Sequence, residues 1–162
     1  MPAVGVVFDI NVLVQAVASG HTEFARWPTL PPTTVNPSAD CLGVVNDARE
    51  FALWLSPHTL SNAVRVLLEL GVDSSIVELY AEVLVEIAEG SDGGVLEPAR
   101  TVHDCSDHED NLILDLAAEV GAVIIVSDDA ALTSMSPWRA TPILRPREFA
   151  QRVDATRRAR RR

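Results

Sequence analysis

Short apolar stretches alternate with longer amphipathic stretches along this chain. The apolar stretches at Val4–Phe8, Phe51–Leu55 and 122–126 are rich in Val, Ile and Leu and predict buried strands. Shorter strands are predicted at 95–96 and 141–144. Because strands that alternate with helices form parallel sheets, we predict an α/β fold with a central parallel sheet and helices on both sides.

Helical patterns and helix-capping residues lie between these strands. Ser56 followed by Pro57 predicts a helix start, and Ser38 and Ser106 or Asp107 are further predicted N-caps. The stretch 20–37 contains four prolines and predicts a surface loop. Helices are predicted over 11–18, 38–46, 57–70, 74–90 and 107–121, with a short one from residue 146.

The length and composition favour one domain over 1–150, followed by a basic tail over 151–162. The chain has 162 residues and is 48% hydrophobic, which allows a sizeable core. No apolar run approaches the ~18 residues of a membrane helix, and the start of the chain lacks the pattern of a signal peptide. We therefore expect a cytoplasmic protein with no membrane segment.

The charge of the chain is unevenly distributed. The net charge is −10, yet the last six residues, RRARRR, hold five of the 13 basic residues. An acidic body argues against broad capture of nucleic acid, whereas a terminal Arg cluster predicts phosphate binding. A solvated, disordered tail is the compatible alternative. The predicted RNA-binding residues of the tail are Arg157, Arg158, Arg160, Arg161 and Arg162.

Several polar residues directly follow predicted strands or begin the helix that leads into one. They are Asp9, Asp107, Asp110, Ser127, Asp128 and Asp129. In open parallel sheets, sites form beyond the carboxyl ends of the strands, so these side chains are expected to converge. Several carboxylates in one cleft repel each other unless a cation holds them, and their oxygens suit Mg²⁺ or Mn²⁺. Such an ion would support hydrolysis of phosphodiester bonds.

Each of these acids also has a purely structural explanation. Asp107 suits a helix N-cap, and Asp110 suits the positive end of the same helix dipole. Asp128 and Asp129 can simply begin a turn. Asp9 is the hardest to explain structurally, because it ends a buried strand where an unpaired carboxylate is costly.

Four segments of the sequence together resemble the PIN-domain family. In chain order they read VVFDINVLV, LSPHTLSNAVRVLLELG, CSDHEDNLILDLAAEVGAVIIVSDDAAL and PILRPREF. This family includes the toxic ribonucleases of VapBC-type toxin–antitoxin pairs. The resemblance covers about residues 4–149 and implies a three-layer α/β/α fold with four acidic residues that bind Mg²⁺ or Mn²⁺. It also implies hydrolysis of single-stranded RNA, often by a homodimer that a cognate antitoxin controls.

The resemblance assigns three catalytic, metal-binding acids to this chain. Asp9 matches the first acid of the family, Asp110 the third, and Asp129 the acid of a segment that usually reads Thr-Gly-Asp. The residues implied to support these acids are Asn11, Asp107, Ser127 and Asp128.

The second acid of the family, a Glu, is replaced here by Asn62. Glu69 lies two helical turns later, too far along the chain to substitute for it. The Asn carbonyl can still touch a cation but brings no charge. On the same helical face, Arg65 is a predicted phosphate contact and His58 a predicted surface residue.

These observations leave two main hypotheses for the function. The retained acids favour a weakened but genuine metal-dependent ribonuclease. Asn62 favours a catalytically silent PIN domain that binds RNA or a partner protein. A phosphotransfer protein using Asp9 is disfavoured because Asn11 replaces the second acid of D-x-D and the chain has no Lys.

The helices predicted over 57–70 and 74–89 carry more apolar positions than one buried face needs. An exposed remainder would mark a homodimer or antitoxin interface. The alternative is that both helices are buried in the core.

Overall fold

The computed structural model describes residues 2–18, 35–47 and 50–162. In these ranges, five parallel strands form one sheet in the order β3-β2-β1-β4-β5. The strands are β1 Val4–Phe8, β2 Phe51–Leu55, β3 Gly94–Val95, β4 Ile124–Val126 and β5 Ile143–Leu144. The predicted central parallel sheet is confirmed.

Seven helices in the described ranges cover the two faces of this sheet. They are α1 Ile10–Ala18, α2 Pro37–Asp47, α3 Pro57–Glu69, α4 Ser74–Gly90, α5 His108–Val120, α6 Ala130–Thr133 and α7 Pro146–Arg160. Because strand side chains alternate between faces, Phe8 packs with α1–α4 and α7, whereas Val7 packs with α5 and α6. This is the predicted three-layer α/β/α architecture. No helix within these ranges is long and apolar enough to span a membrane.

Most predicted helix starts are confirmed, with one exception. Ser56 and Asp107 are the N-caps of α3 and α5. The prediction that Ser38 caps α2 is wrong, because α2 begins at Pro37 and the Asn36 side chain accepts a bond from the Ala39 N–H (3.1 Å). Asn36 precedes a proline at the first helical position, which is the better start signal. Most of the predicted loop over 20–37 lies outside the described residues.

The C-terminal segment differs from the predicted disordered tail. Helix α7 crosses residue 150 and continues to Arg160. Its buried face carries Phe149, Val153 and then Arg157, spaced by four residues, so one helical stripe extends into the basic segment. Arg157 is paired with Glu50, which offsets the charge that would otherwise keep this segment solvated.

The order of the strands determines where a site can form. From β1 the chain first adds β2 and β3 on one side of β1 in the sheet. It then adds β4 and β5 on the other side of β1, so the direction of winding changes between β1 and β4. At such a switch point, the loops that follow the strands diverge and leave a crevice. We call the edge where the strands end the carboxyl edge and the opposite one the amino edge.

Candidate metal centre

Three of the predicted acids meet at the carboxyl edge. Asp9 directly follows β1, Asp129 lies three residues after β4, and Asp110 lies in the first turn of α5. One carboxylate oxygen from each lies within 4.8 Å of the others. Residues separated by more than 100 positions in sequence therefore share one small volume at the switch point.

Asp9 is held by a dense set of hydrogen bonds. Its Oδ1 accepts from the Ile10 N–H (2.7 Å), and its Oδ2 accepts from the Ser127 hydroxyl (2.7 Å) and from Asn11 Nδ2 (3.3 Å). Burial raises the pKa of Asp9, the bonds from Ser127 and Ile10 lower it, and the charges of Asp129 and Glu109 raise it again. Its carboxylate is thus fixed in position but costly to keep charged.

Asn11 and Ser127 tie the loops after β1 and β4 together. The Ser127 hydroxyl, which donates to Asp9, also accepts from the Asp129 N–H (3.0 Å). The Asn11 carbonyl oxygen accepts from the Asp128 N–H (3.1 Å). Asn11 and Ser127 therefore both hydrogen-bond to acids of the cluster. Asp129 also caps α6, since its Oδ1 accepts from the Ala131 N–H (3.1 Å).

Asp110 is positioned by the start of α5. Asp107 caps this helix by accepting from the backbone N–H groups of Glu109 (2.8 Å) and Asp110 (3.4 Å). Burial, followed by the charges of Asp129, Asp107 and Asp9, raises the pKa of Asp110 to about 7. Without a cation, the site therefore favours a proton on Asp110 near neutral pH.

Two polar residues of α5 that the sequence analysis missed anchor the loop leading into the helix. The Asn111 amide bonds both the N–H (2.8 Å) and the carbonyl (2.9 Å) of Cys105. The buried Asp115 accepts from the N–H groups of Thr101 (2.8 Å) and Val102 (2.7 Å). Both interrupt an apolar helical face, which is the sequence signal that could have identified them.

Asp128 and Asn62 lie in different surroundings from the three clustered acids. Asp128 is exposed and forms an ion pair with Arg145 (2.8 Å). Asn62 Nδ2 contacts Glu109 Oε1 (3.1 Å) and His58 Nε2 (2.8 Å), while its Oδ1 accepts from Arg65 (3.4 Å). The Asn62 carbonyl oxygen, which could still touch a metal cation, is thus hydrogen-bonded to a guanidinium.

The terminal arginines lie at the amino edge. Arg157 bonds Glu50, the residue just before β2, through two nitrogens (2.8 and 3.3 Å). Arg160 lies 3.9 Å from the same carboxylate, and Arg158 pairs with Asp154. Arg161 and Arg162 follow at the end of α7. The structure therefore separates this basic segment from the three acids, while Arg65 on α3 bonds Asn62, which contacts Glu109 at the start of α5.

The acidic cluster opens into a cavity of about 500 Å³. Its acidic lining residues are Asp9, Asp107, Glu109, Asp110 and Asp129. Without a cation, so many carboxylates would repel a phosphate backbone. The oxygens of Asp9, Asp110 and Asp129 lie close enough together to serve as hard ligands for one ion. This set of donors fits a hard divalent ion such as Mg²⁺ or Mn²⁺.

Carboxylates gathered beyond the ends of parallel strands define an α/β domain with a candidate metal centre. A family model of the PIN domain matches residues 5–131, and the chain belongs to the PIN-domain family. PIN domains are generally metal-dependent nucleases. The searches of curated proteins and of solved structures gave no match.

Proposed function

We propose that this chain is a Mg²⁺- or Mn²⁺-dependent endoribonuclease that hydrolyses phosphodiester bonds of single-stranded RNA. Asp9, Asp110 and Asp129 are its metal ligands. The observation that carries this proposal is the approach of their oxygens to within 4.8 Å at the switch point of the sheet. Membership of the PIN-domain family supports the nuclease class.

The residues of the chain have separable roles in this proposal. A divalent cation held by these acids would polarise the phosphate and lower the pKa of the attacking water. Ser127 and Asn11 hold Asp9 in one orientation, so little rearrangement is needed on binding. Asp110 would have to lose its proton to hold a cation, and its pKa is raised to about 7, so metal affinity should rise as the pH passes through about 7.

Arg65 is the proposed contact to the RNA backbone beside this centre. It is exposed on α3 and bonds Asn62, which in turn bonds Glu109 on the wall of the acidic cavity. An exposed guanidinium at this position can meet a phosphate next to the scissile one. The terminal arginines would contact RNA further away, at the amino edge.

Cleavage of a labelled single-stranded RNA in Mn²⁺ tests the proposal. We expect Asp9→Asn to reduce the rate by at least about 100-fold, since it removes a ligand charge without changing shape. Asp92→Asn is the matched control, because Asp92 is an exposed turn residue outside the cavity. Cleavage that survives a chelator, or an Asp9→Asn variant as fast as the wild type, would contradict the proposal.

A catalytically silent PIN domain that binds RNA or a partner protein is the second candidate, and Asn62 favours it. At this position the chain has an amide instead of a carboxylate. The amide is hydrogen-bonded to the side chains of Glu109 and Arg65. A wild type that binds RNA without cleaving it, together with cleavage that appears only in Asn62→Glu, would support this candidate.

Exposed leucines support a proposed interface. Leu68 and Leu70, near the end of α3, and Leu79 on α4 are 45 to 59% exposed. We propose that they contribute to a homodimer or antitoxin interface of a VapC-like toxin acting in the cytoplasm. A monomer in light scattering would contradict the homodimer.

A further inference from the structure

Asn62 and Glu109 meet although their helices pack on opposite faces of the sheet. Asn62 lies in the second turn of α3, and Glu109 lies in the first turn of α5. Asn62 Nδ2 donates a hydrogen bond to Glu109 Oε1 at 3.1 Å. The position that lacks the expected Glu is thus in contact with an acidic residue of the helix that carries Asp110.

The Asn62 amide has one favourable orientation in this contact. Its NH₂ group faces the Glu109 carboxylate, and its carbonyl oxygen faces the Arg65 guanidinium at 3.4 Å. The reverse orientation would place the carbonyl oxygen against a carboxylate and the NH₂ group against a cation. A Glu at position 62 would likewise face Glu109 with like charge. An amide at 62 is therefore complementary to an acid at 109.

Glu109 belongs to the same cavity as the three clustered acids. It lines that cavity together with Asp9, Asp110 and Asp129, and its N–H is fixed by the Asp107 cap. It stands outside the group of three whose oxygens approach within 4.8 Å. Its charge also raises the pKa of Asp9, so the Glu109 carboxylate acts on this cluster without being one of its three members.

We propose that Glu109 is the fourth carboxylate of the metal centre and that Asn62 is the positioning residue that holds it. The inference rests on the proposed metal-dependent function. Mg²⁺ held by few carboxylates keeps several of its waters, and a carboxylate just beyond contact distance accepts hydrogen bonds from them. Groups at that distance commonly change metal affinity by about tenfold or more. In this proposal, α5 supplies the negative charge that is missing at position 62 of α3.

Binding of Mn²⁺ alone, followed by electron paramagnetic resonance of the free ion, tests the role of Glu109. We expect Glu109→Gln to weaken binding about tenfold. Glu119→Gln, an equal change of charge at the exposed far end of α5, should stay within about twofold of the wild type. A Glu109→Gln variant that binds as tightly as Glu119→Gln would overturn the inference.

A double-mutant cycle tests the positioning role of Asn62. We expect Asn62→Ala to weaken Mn²⁺ binding about threefold in the wild-type background and to have no further effect in Glu109→Gln. The swapped variant Asn62→Glu with Glu109→Gln should recover most of the affinity lost in Glu109→Gln. An equal effect of Asn62→Ala in both backgrounds, or a swap without recovery, would overturn this role.

The same titrations separate failure of this inference from failure of the proposed function. A wild type that binds no Mn²⁺ would overturn the metal-dependent function, and the role of Glu109 with it. Binding that is lost in Asp9→Asn but unchanged in Glu109→Gln would overturn the role of Glu109 alone. Circular dichroism of each variant verifies that it is folded.

Discussion

The amino edge of the sheet pairs opposite charges, whereas the carboxyl edge brings like charges together. At the amino edge, Arg157 pairs with Glu50 and lies 3.8 Å from Asp47, so these three side chains bring opposite charges together. At the carboxyl edge, Asp9, Asp110 and Asp129 bring like charges within 4.8 Å of one another. The first arrangement is complete within the protein, and the second is relieved only by a proton or a cation.

The two clusters also differ in how they shift the pKa of their carboxylates. The bond from Arg157 lowers the pKa of Glu50, whereas burial and neighbouring acids raise the pKa of Asp110. A carboxylate with a lowered pKa stabilises the fold at neutral pH, and one with a raised pKa opposes it. Carboxylates whose pKa is raised by burial and by neighbouring acids are typical of sites that bind a ligand.

The largest expected effect on stability comes from neutralising the carboxyl edge. In metal-free protein, the pKa of Asp110 is about 7, above the ~4 of an unfolded chain. Because the folded state binds this proton more tightly than the unfolded chain, the stability that the protonated Asp110 provides is fully present below about pH 4. It is lost as the pH rises through 7. We expect Asp110→Asn to raise the free energy of unfolding by about 1–3 kcal/mol at pH 8 in chelator.

Denaturant unfolding at two pH values measures this effect. At pH 4 the gain from Asp110→Asn should nearly vanish, because the wild-type side chain is already protonated in the folded state. An Asp110→Asn variant that is less stable than the wild type at pH 8 would contradict the account.

At the amino edge, removing a charge should have the opposite sign. The Arg157 side chain is 15% exposed, so Arg157→Ala removes both a paired charge and a packed stem. We expect a loss of about 1–2 kcal/mol at pH 7. The loss should shrink at acid pH, because the Arg157 bond lowers the pKa of Glu50 and the stability that this provides is lost as Glu50 takes up a proton.

Arg158→Ala is the control for this change. Arg158 is 67% exposed and pairs with Asp154 one helical turn away, so its removal should cost less than about 0.5 kcal/mol. Equal losses for Arg157→Ala and Arg158→Ala in thermal denaturation would show that the amino-edge cluster contributes no special stability.

The smallest expected effect concerns the end of the chain. Replacing Arg161 and Arg162 by Ala should leave the melting temperature unchanged and weaken RNA binding modestly. Each lost phosphate contact should lower the slope of log affinity against log salt by about 0.7. Unchanged affinity and slope in fluorescence anisotropy would exclude these two residues from RNA binding.

Much of the fold follows from local sequence signals. The buried strands are short apolar runs of aliphatic and aromatic residues, and Ser56 with Pro57 is a start signal that needs no tertiary context. The meeting of Asp9, Asp110 and Asp129 follows from the geometry of a parallel sheet and from the resemblance to PIN domains.

The features that sequence reasoning missed depend on contacts between distant residues. The helical stripe of α7 is obscured by Arg-rich composition, and Arg157 becomes part of it only because Glu50 lies opposite. The contact between Asn62 and Glu109 joins residues 47 positions apart on helices of different layers. Asp128 resembles its neighbour Asp129 in sequence, yet it pairs with Arg145, 17 positions later, instead of joining the cluster.

Anomalous diffraction from crystals grown with Mn²⁺ tests the central claim most directly, namely that three distant aspartates share one divalent cation. We predict one anomalous peak about 2.0–2.3 Å from a carboxylate oxygen of each of Asp9, Asp110 and Asp129. No peak at the carboxyl edge at saturating Mn²⁺, or a peak held by other residues, would contradict the account.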